Sequence, residues 1–144
     1  MRKILATFIM LVGVSSMAMA DERPITVESL PKAAVEFIKG NFPNSPVVLA
    51  TVDREIMDTD YEVRLEDGTI IDFDGKGRWV EVSNKRNALP ASVLPKPIAA
   101  YIKSNYPSER CLKIEKNSHS YETKLTNGLE LVFTLDGKMI GYDD

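Results

Sequence analysis

The sequence predicts an α+β protein in which two tandem α-β-β-β-β repeats form an antiparallel sheet with helices packed on one face. The first observation is internal repetition, since residues 30–43, LPKAAVEFIKGNFP, return as residues 94–107, LPKPIAAYIKSNYP. The second is that residues 61–82 realign without a gap onto residues 121–142. The third is a change of period, because apolar residues recur every three or four positions in the first block and every second position in the other.

The domain organisation follows from the repeat. We expect residues 21–144 to form a single domain made of two repeats, at about residues 28–83 and 92–143. A unit of about 50 residues buries too little surface to be stable alone, so the two repeats should share one core.

The first repeated block predicts a helix in each repeat. One apolar stripe contains Leu30, Ala34, Phe37, Ile38 and Phe42, and its counterpart contains Leu94, Ile98, Tyr101, Ile102 and Tyr106. Pro43 and Pro107 follow the two stripes and end the helices. Each helix must bury its stripe against another element.

The second repeated block predicts three strands joined by tight turns, after a first strand at Val47 to Ile56 or Cys111 to Lys116. The dipeptides Asp67-Gly68 and Asn127-Gly128 are typical of two-residue hairpins. Short turns between consecutive strands require antiparallel pairing.

The N-terminus predicts export to the periplasm or beyond the cell. Residues 1–20 combine Arg2 and Lys3, an apolar run and Ala18-Met19-Ala20, the order found in a secretory signal peptide. Without Arg2 and Lys3 the chain has 16 basic and 21 acidic residues, a net charge of −5. This charge disfavours a nucleic-acid partner, and no later segment is apolar enough to span a membrane. Cys111 is the only cysteine, so no internal disulfide is expected.

The repeated pattern resembles the PepSY-like, β-lactamase-inhibitor-protein-like family of bacterial envelope proteins. The resemblance rests on a helix that opens in Leu-Pro-Lys and closes in Asn-Phe/Tyr-Pro, and on the Tyr-Glu and Asp/Asn-Gly hairpins that follow. It implies the fold described above. It also implies a partner class, since the β-lactamase inhibitor protein binds an enzyme through its open sheet face and PepSY domains are thought to restrain peptidases.

A catalytic site is not predicted. Cys111 and His119 lie eight residues apart, but a nucleophilic pair needs a thiol of low pKa within reach of an oriented imidazole. A strand cysteine and a turn histidine explain both residues without catalysis. We therefore expect no enzyme activity and no cofactor.

A calcium loop is a weaker hypothesis. Asp72-Phe73-Asp74-Gly75-Lys76-Gly77 begins like such a loop, but Lys76 and Ser83 occupy positions where an EF-hand needs ligands. A turn between strands is the simpler interpretation, with Asp72 and Asp74 as the natural ligands if a small ligand or divalent cation binds.

Strand alternation predicts a protein-binding surface on the face away from the helices. Trp79 would be its anchor, since an exposed tryptophan rimmed by charge is typical of a binding hot spot. The predicted surface consists of Trp79, Ile70, Val132, Met139, Glu62, Arg64, Asp72, Glu81 and Lys124. The alternative is a solvated sheet face on which Trp79 packs across neighbouring strands or covers an edge.

The sequence thus predicts an exported, non-enzymatic module that binds or inhibits another envelope or secreted protein, such as a hydrolase or peptidase, through the open sheet face. The alternative is a periplasmic protein that binds a small ligand or a divalent ion. Neither the partner, the oligomeric state nor the strand order between the repeats is specified by these patterns.

Overall fold

A computed structural model describes residues 22–143, and the predicted signal peptide lies outside this range. The described chain contains two α-helices and nine strands. The helices are α1, Lys32–Asn41, and α2, Lys96–Asn105, each preceded by a short 3-10 helix. The strands are β1 Glu22–Ile25, β2 Val47–Glu55, β3 Asp58–Leu65, β4 Ile70–Phe73, β5 Trp79–Ser83, β6 Cys111–Lys116, β7 Ser120–Leu125, β8 Glu130–Thr134 and β9 Met139–Asp143.

The nine strands form one antiparallel sheet whose spatial order is the order of the chain, from β1 at one edge to β9 at the other. Each half of the chain runs from a helix into four strands, and β5 of the first half pairs with β6 of the second. The predicted antiparallel sheet and both helices are therefore present. Strand β1 was not predicted, because its sequence, Glu-Arg-Pro-Ile, has neither alternation nor an apolar run.

The helices and the sheet bury their apolar residues against each other. Both predicted helix stripes point to this core, with Ala34 and Ile98 fully buried. From the sheet, Phe73 and Phe133 are fully buried and lie edge-on to the rings of Phe37 and Tyr101 of the helices. The core residues of both halves form one cluster.

The linker between the halves is held by Asn84, a buried polar residue. Its side-chain nitrogen donates to the carbonyl of Asp67 and to the hydroxyl of Thr69, each at 3.1 Å. Its side-chain oxygen accepts from the backbone nitrogens of Arg86 and Asn87, both at 2.9 Å. The start of the linker is thereby tied to the β3–β4 turn before α2 begins.

Candidate functional site

The face of the sheet away from the helices carries a continuous row of carboxylates. Cross-strand partners on this face pair in the order Glu62 with Asp72, Asp72 with Glu81, Glu81 with Glu115, and Glu115 with Glu122. We call these five residues the acidic row. Directly opposed residues have Cβ atoms about 5 Å apart, so five negative charges cross strands β3 to β7 as close neighbours.

Two further rows lie on the same face. On one side of the acidic row, Glu22 pairs with Asp53 and Asp53 with Asp60. On the other side lies a mixed row, which consists of Leu49, Arg64, Ile70, Ser83, Lys113, Lys124 and Glu130. The three rows together contain nine carboxylates but only three cationic side chains. The face therefore holds a stronger negative charge than the chain as a whole.

The cations of the mixed row neutralise only part of this charge. Arg64 Nη2 lies 3.2 Å from a carboxylate oxygen of Glu62, and Lys113 Nζ lies 3.7 Å from one of Glu81. All four side chains remain partly exposed, so each pair is worth about 0.5 kcal/mol. No ion pair of the described residues involves Glu115 or Glu122. The acidic row keeps a negative field directed at the solvent.

Seven of the nine predicted surface residues lie on this face. Six of them belong to the acidic and mixed rows, namely Glu62, Arg64, Ile70, Asp72, Glu81 and Lys124, and the seventh, Val132, pairs with Glu122 on the same face. Sequence reasoning missed Glu115, which joins the carboxylates of the two halves. Only the pairing of β5 with β6 reveals that position, and the repeat alone does not specify this pairing.

The expected positions of Trp79 and Met139 on the helix-free face are wrong. Asp72 pairs with Glu81 but Phe73 pairs with Trp79, so one extra residue interrupts the alternation of β5. The same irregularity puts Met139 opposite Phe133 in β9. Because a bulge of one residue reverses the direction of the side chains beyond it, both residues pack on the helix side against the core.

Trp79 joins the two halves on that side of the sheet. Its ring lies 6.4 Å from Phe37 of α1 and 6.2 Å from Tyr121 of β7, measured between ring centroids. The alternative in which Trp79 packs across neighbouring strands describes this arrangement better than a solvent-facing anchor does.

The suspected calcium loop is a self-contained turn. Asp74 Oδ1 accepts from the backbone nitrogens of Lys76 and Arg78, and Asp74 Oδ2 accepts from Arg78 Nε, each at 2.9 Å. Burial raises the pKa of Asp74, but these hydrogen bonds and the Arg78 charge outweigh it and leave the pKa below its ordinary value. Both oxygens are thus engaged within the turn. Among the described residues, no three ligating side chains converge on a point that could hold a metal ion.

Cys111 and His119 do not form a nucleophilic pair. Cys111 begins β6 and His119 follows its far end, so the strand separates them by about 17 Å at 3.3 Å per residue. Burial raises the pKa of the Cys111 thiol to about 11, and the thiol donates to the Lys113 carbonyl. The thiol therefore stays protonated near neutral pH.

A hairpin tip forms a separate exposed feature. Strands β2 and β3 continue past their neighbours, since β4 begins its pairing with β3 only at Tyr61. Ile56 and Met57 at the tip are 96% and 91% exposed. The alternation pattern did not single out this tip, because it treats Ile56 as the end of a strand.

Comparison with known proteins places this fold in a family. A family model described as "Putative beta-lactamase-inhibitor-like, PepSY-like" matches residues 17–69 and again residues 59–141. The chain belongs to the PepSY-like family. The resemblance seen in the sequence is confirmed, and two matches to one model agree with the tandem pattern. No functionally curated protein matches the chain.

Three solved structures are similar to this PepSY-like protein over nearly their whole length. A periplasmic protein of the DUF2874 family from Bacteroides vulgatus is 40% identical, with a TM-score of 0.81, 87% of this chain covered and 98% of that one. A "putative calcium-regulated periplasmic protein" from Bacteroides thetaiotaomicron is 39% identical, with a TM-score of 0.82 and coverage of 86% and 98%. A second Bacteroides vulgatus protein, described as periplasmic and of unknown function, is 34% identical, with a TM-score of 0.79 and coverage of 85% and 99%.

The location of these PepSY-like relatives confirms the predicted export. All three are described as periplasmic. Neither helix in residues 22–143 has the length and apolar content needed to cross a bilayer.

Proposed function

We propose that this protein is a non-enzymatic periplasmic binding module whose helix-free sheet face binds a positively charged surface of another envelope or secreted protein. The acidic row is the observation that carries the proposal. Like charges directly opposite each other destabilise a sheet by about 0.2–1 kcal/mol per pair, and the row contains four such pairs. Repulsion within the acidic row lowers the stability of the free protein, and binding of a cationic partner at the row would offset this loss.

The chemistry of the face suits recognition of a protein. A concentrated negative field attracts a basic partner from a distance and speeds association. Close to the acidic row, Ile70 and Val132 supply partly exposed apolar contact, and Arg64, Lys113 and Lys124 supply positive charge that disfavours wrongly placed partners. The family description, β-lactamase-inhibitor-like, supports a hydrolase or peptidase as the partner class.

We also interpret the two halves as copies of one α-β-β-β-β unit within a single domain of residues 21–144. The matching element order and the two family matches support this interpretation. The acidic row crosses the junction of β5 and β6 and is not itself repeated, because Asp72 and Glu81 correspond to Val132 and Gly141. The proposed surface therefore depends on both copies being joined.

Reversing charge in the acidic row is expected to abolish binding. The double variant Glu115→Lys and Glu122→Lys should lose most of the partner retained by the immobilised wild type from periplasmic extract, because it reverses two of the five negative charges of the row. The control is Glu28→Lys with Glu36→Lys, which makes the same change of net charge at exposed positions outside the sheet. Retention is measured by quantitative mass spectrometry at low and at raised salt.

The control variant should retain the partner as the wild type does, and raised salt should weaken its retention. An equal loss of retained partner in both double variants would show that binding depends only on the net charge of the protein. Equal retention of the partner by all three proteins would show that the acidic row is not part of the binding surface.

Calcium binding is the second candidate function, and it is favoured by one relative. The Bacteroides thetaiotaomicron protein that is 39% identical to this chain is described as calcium-regulated. Carboxylate oxygens are the ligands that calcium prefers, but it takes six to eight of them. The described side chains offer no such converging group, and Asp74 is engaged in its own turn.

A thermal shift experiment tests this candidate. If the native protein binds calcium, the melting temperature should rise with calcium concentration by mass action, and magnesium at equal concentration should raise it less. Glu115→Gln with Glu122→Gln should then remove the shift, whereas Asp136→Asn in the exposed β8–β9 turn should not. A melting temperature that does not respond to calcium would exclude the candidate and leave the protein-binding proposal unaffected.

A further inference from the structure

The two edges of the sheet differ in how they are protected from pairing with another strand. Exposed edges in natural proteins usually carry proline or charged side chains. Edge strand β1 has both, since Glu22, Arg23 and Pro24 are exposed, and Pro24 has no backbone N–H to donate. At β1 the sheet therefore resists the addition of another strand.

Edge strand β9 is less protected, since it has no proline and its one charged residue, Asp143, stands at its end, beyond the bulge at Ile140. Its central residues are Ile140, Gly141 and Tyr142, and the side chains of Ile140 and Tyr142 are 57% and 63% exposed. Leu135, in the turn before this strand, is 46% exposed and extends the apolar surface. A strand that pairs on one side only and exposes large apolar groups is a template for strand addition.

From this contrast we infer that β9 is a self-association edge, through which two copies of the protein pair their β9 strands antiparallel about a two-fold axis. Such an interface is isologous, because the same strand supplies both sides. The paired edges would join the sheets of the two copies into one continuous sheet. This inference does not depend on the function proposed for the acidic row.

The sequence of β9 suits this pairing in one register. Residues directly opposite each other on paired strands have their side chains on the same side of the sheet. When a strand pairs with its own copy about a two-fold axis, one residue must therefore lie directly opposite the same residue of the other copy. If that residue is Gly141, the strands meet where no side chain intervenes, and a Cβ atom built at this position has open space around it. Ile140, the extra residue of the β9 bulge, then lies beside Tyr142 of the other copy, so the exposed apolar side chains cover each other in pairs.

Charge also favours the β9 edge over the β1 edge. Pairing through β1 would bring together the two copies of the row formed by Glu22, Asp53 and Asp60. Pairing through β9 leaves five strand spacings between the β7 strands of the two copies, which is about 24 Å. The Debye length at physiological salt is about 8 Å, so repulsion between the two acidic rows is largely screened.

The oligomeric state as a function of concentration tests the inference. In sedimentation equilibrium, the average mass of the mature protein should rise towards twice that of one chain as the concentration increases. Ile140→Lys should hold the protein at the mass of one chain, because it places a charge at the centre of the edge. The matched control is Ile56→Lys at the hairpin tip, which should associate as the wild type does while both variants keep the wild-type melting temperature.

A cysteine variant locates the two-fold axis. Gly141→Cys should form a disulfide-linked dimer under mild oxidation, because facing residues on paired strands lie at distances that a disulfide spans. Ile56→Cys should not, and the native Cys111 is buried and holds a protonated thiol. A wild type that stays at the mass of one chain at all concentrations would overturn the inference. Association lost in Ile56→Lys but kept in Ile140→Lys would also overturn it.

Discussion

Replacing Gly77 with alanine is expected to lower the free energy of unfolding by about 3 kcal/mol, because the new methyl group meets both backbone strain and a steric clash. Gly77 lies in the β4–β5 turn at a φ of +83°. A Cβ atom at this position would lie 2.7 Å from the Cβ of Pro31 and 3.0 Å from the backbone nitrogen of Ala34. These atoms belong to the rigid start of α1, so the helix or the turn would have to move. Denaturant unfolding followed by circular dichroism measures the loss.

The chain supplies a matched control for this variant. Gly128 has a φ of +89°, and a Cβ atom there meets nothing within 4 Å. Gly128→Ala should therefore lose only the backbone contribution, about 1 kcal/mol. Gly137 repeats the close contact in the second half, with its Cβ position 2.6 Å from Pro97, and Gly137→Ala should resemble Gly77→Ala. Equal losses for Gly77→Ala and Gly128→Ala would show that the turn does not press on the helix.

Replacing Trp79 with alanine should lower the free energy of unfolding by about 3 kcal/mol, since large aromatic truncations in cores cost about 3–5 kcal/mol and this ring is half-buried. The variant removes contacts with Phe37 of α1 and with Tyr121 of β7. It therefore weakens the packing within the first half and between the halves. The measurement is again denaturant unfolding of the purified variant.

Trp79→Phe is the matched variant, because it keeps an aromatic ring between these two neighbours and should lose less than half as much. A loss below about 1 kcal/mol for Trp79→Ala would contradict the packing described here. It would instead support the solvent-facing anchor that strand alternation predicts.

The repeat, the helix stripes and the hairpin dipeptides were enough to predict both helices and strands β2 to β9. Each of these signals is local and periodic. The inward direction of Val63, Leu65 and Ile71 also follows from alternation, and all three are buried.

The errors arose where the backbone departs from a strict period of two. One extra residue in β5 moves Trp79 to the helix side, and the pattern of apolar and polar residues is the same with or without that bulge. The acidic row needed a different kind of information. Glu81 and Glu115 become neighbours only because β5 pairs with β6 across the linker and α2, a contact that no local pattern encodes.

The strand order also has a consequence for how the chain folds. Six of the eight strand pairings join strands separated by a single turn, and only β1–β2 and β5–β6 close across a helix. Contacts between segments close in the chain form rapidly, whereas long loops slow the search for the native pairing. We therefore expect each hairpin set to assemble early and the closure of β5 on β6, across residues 84–110, to limit the folding rate.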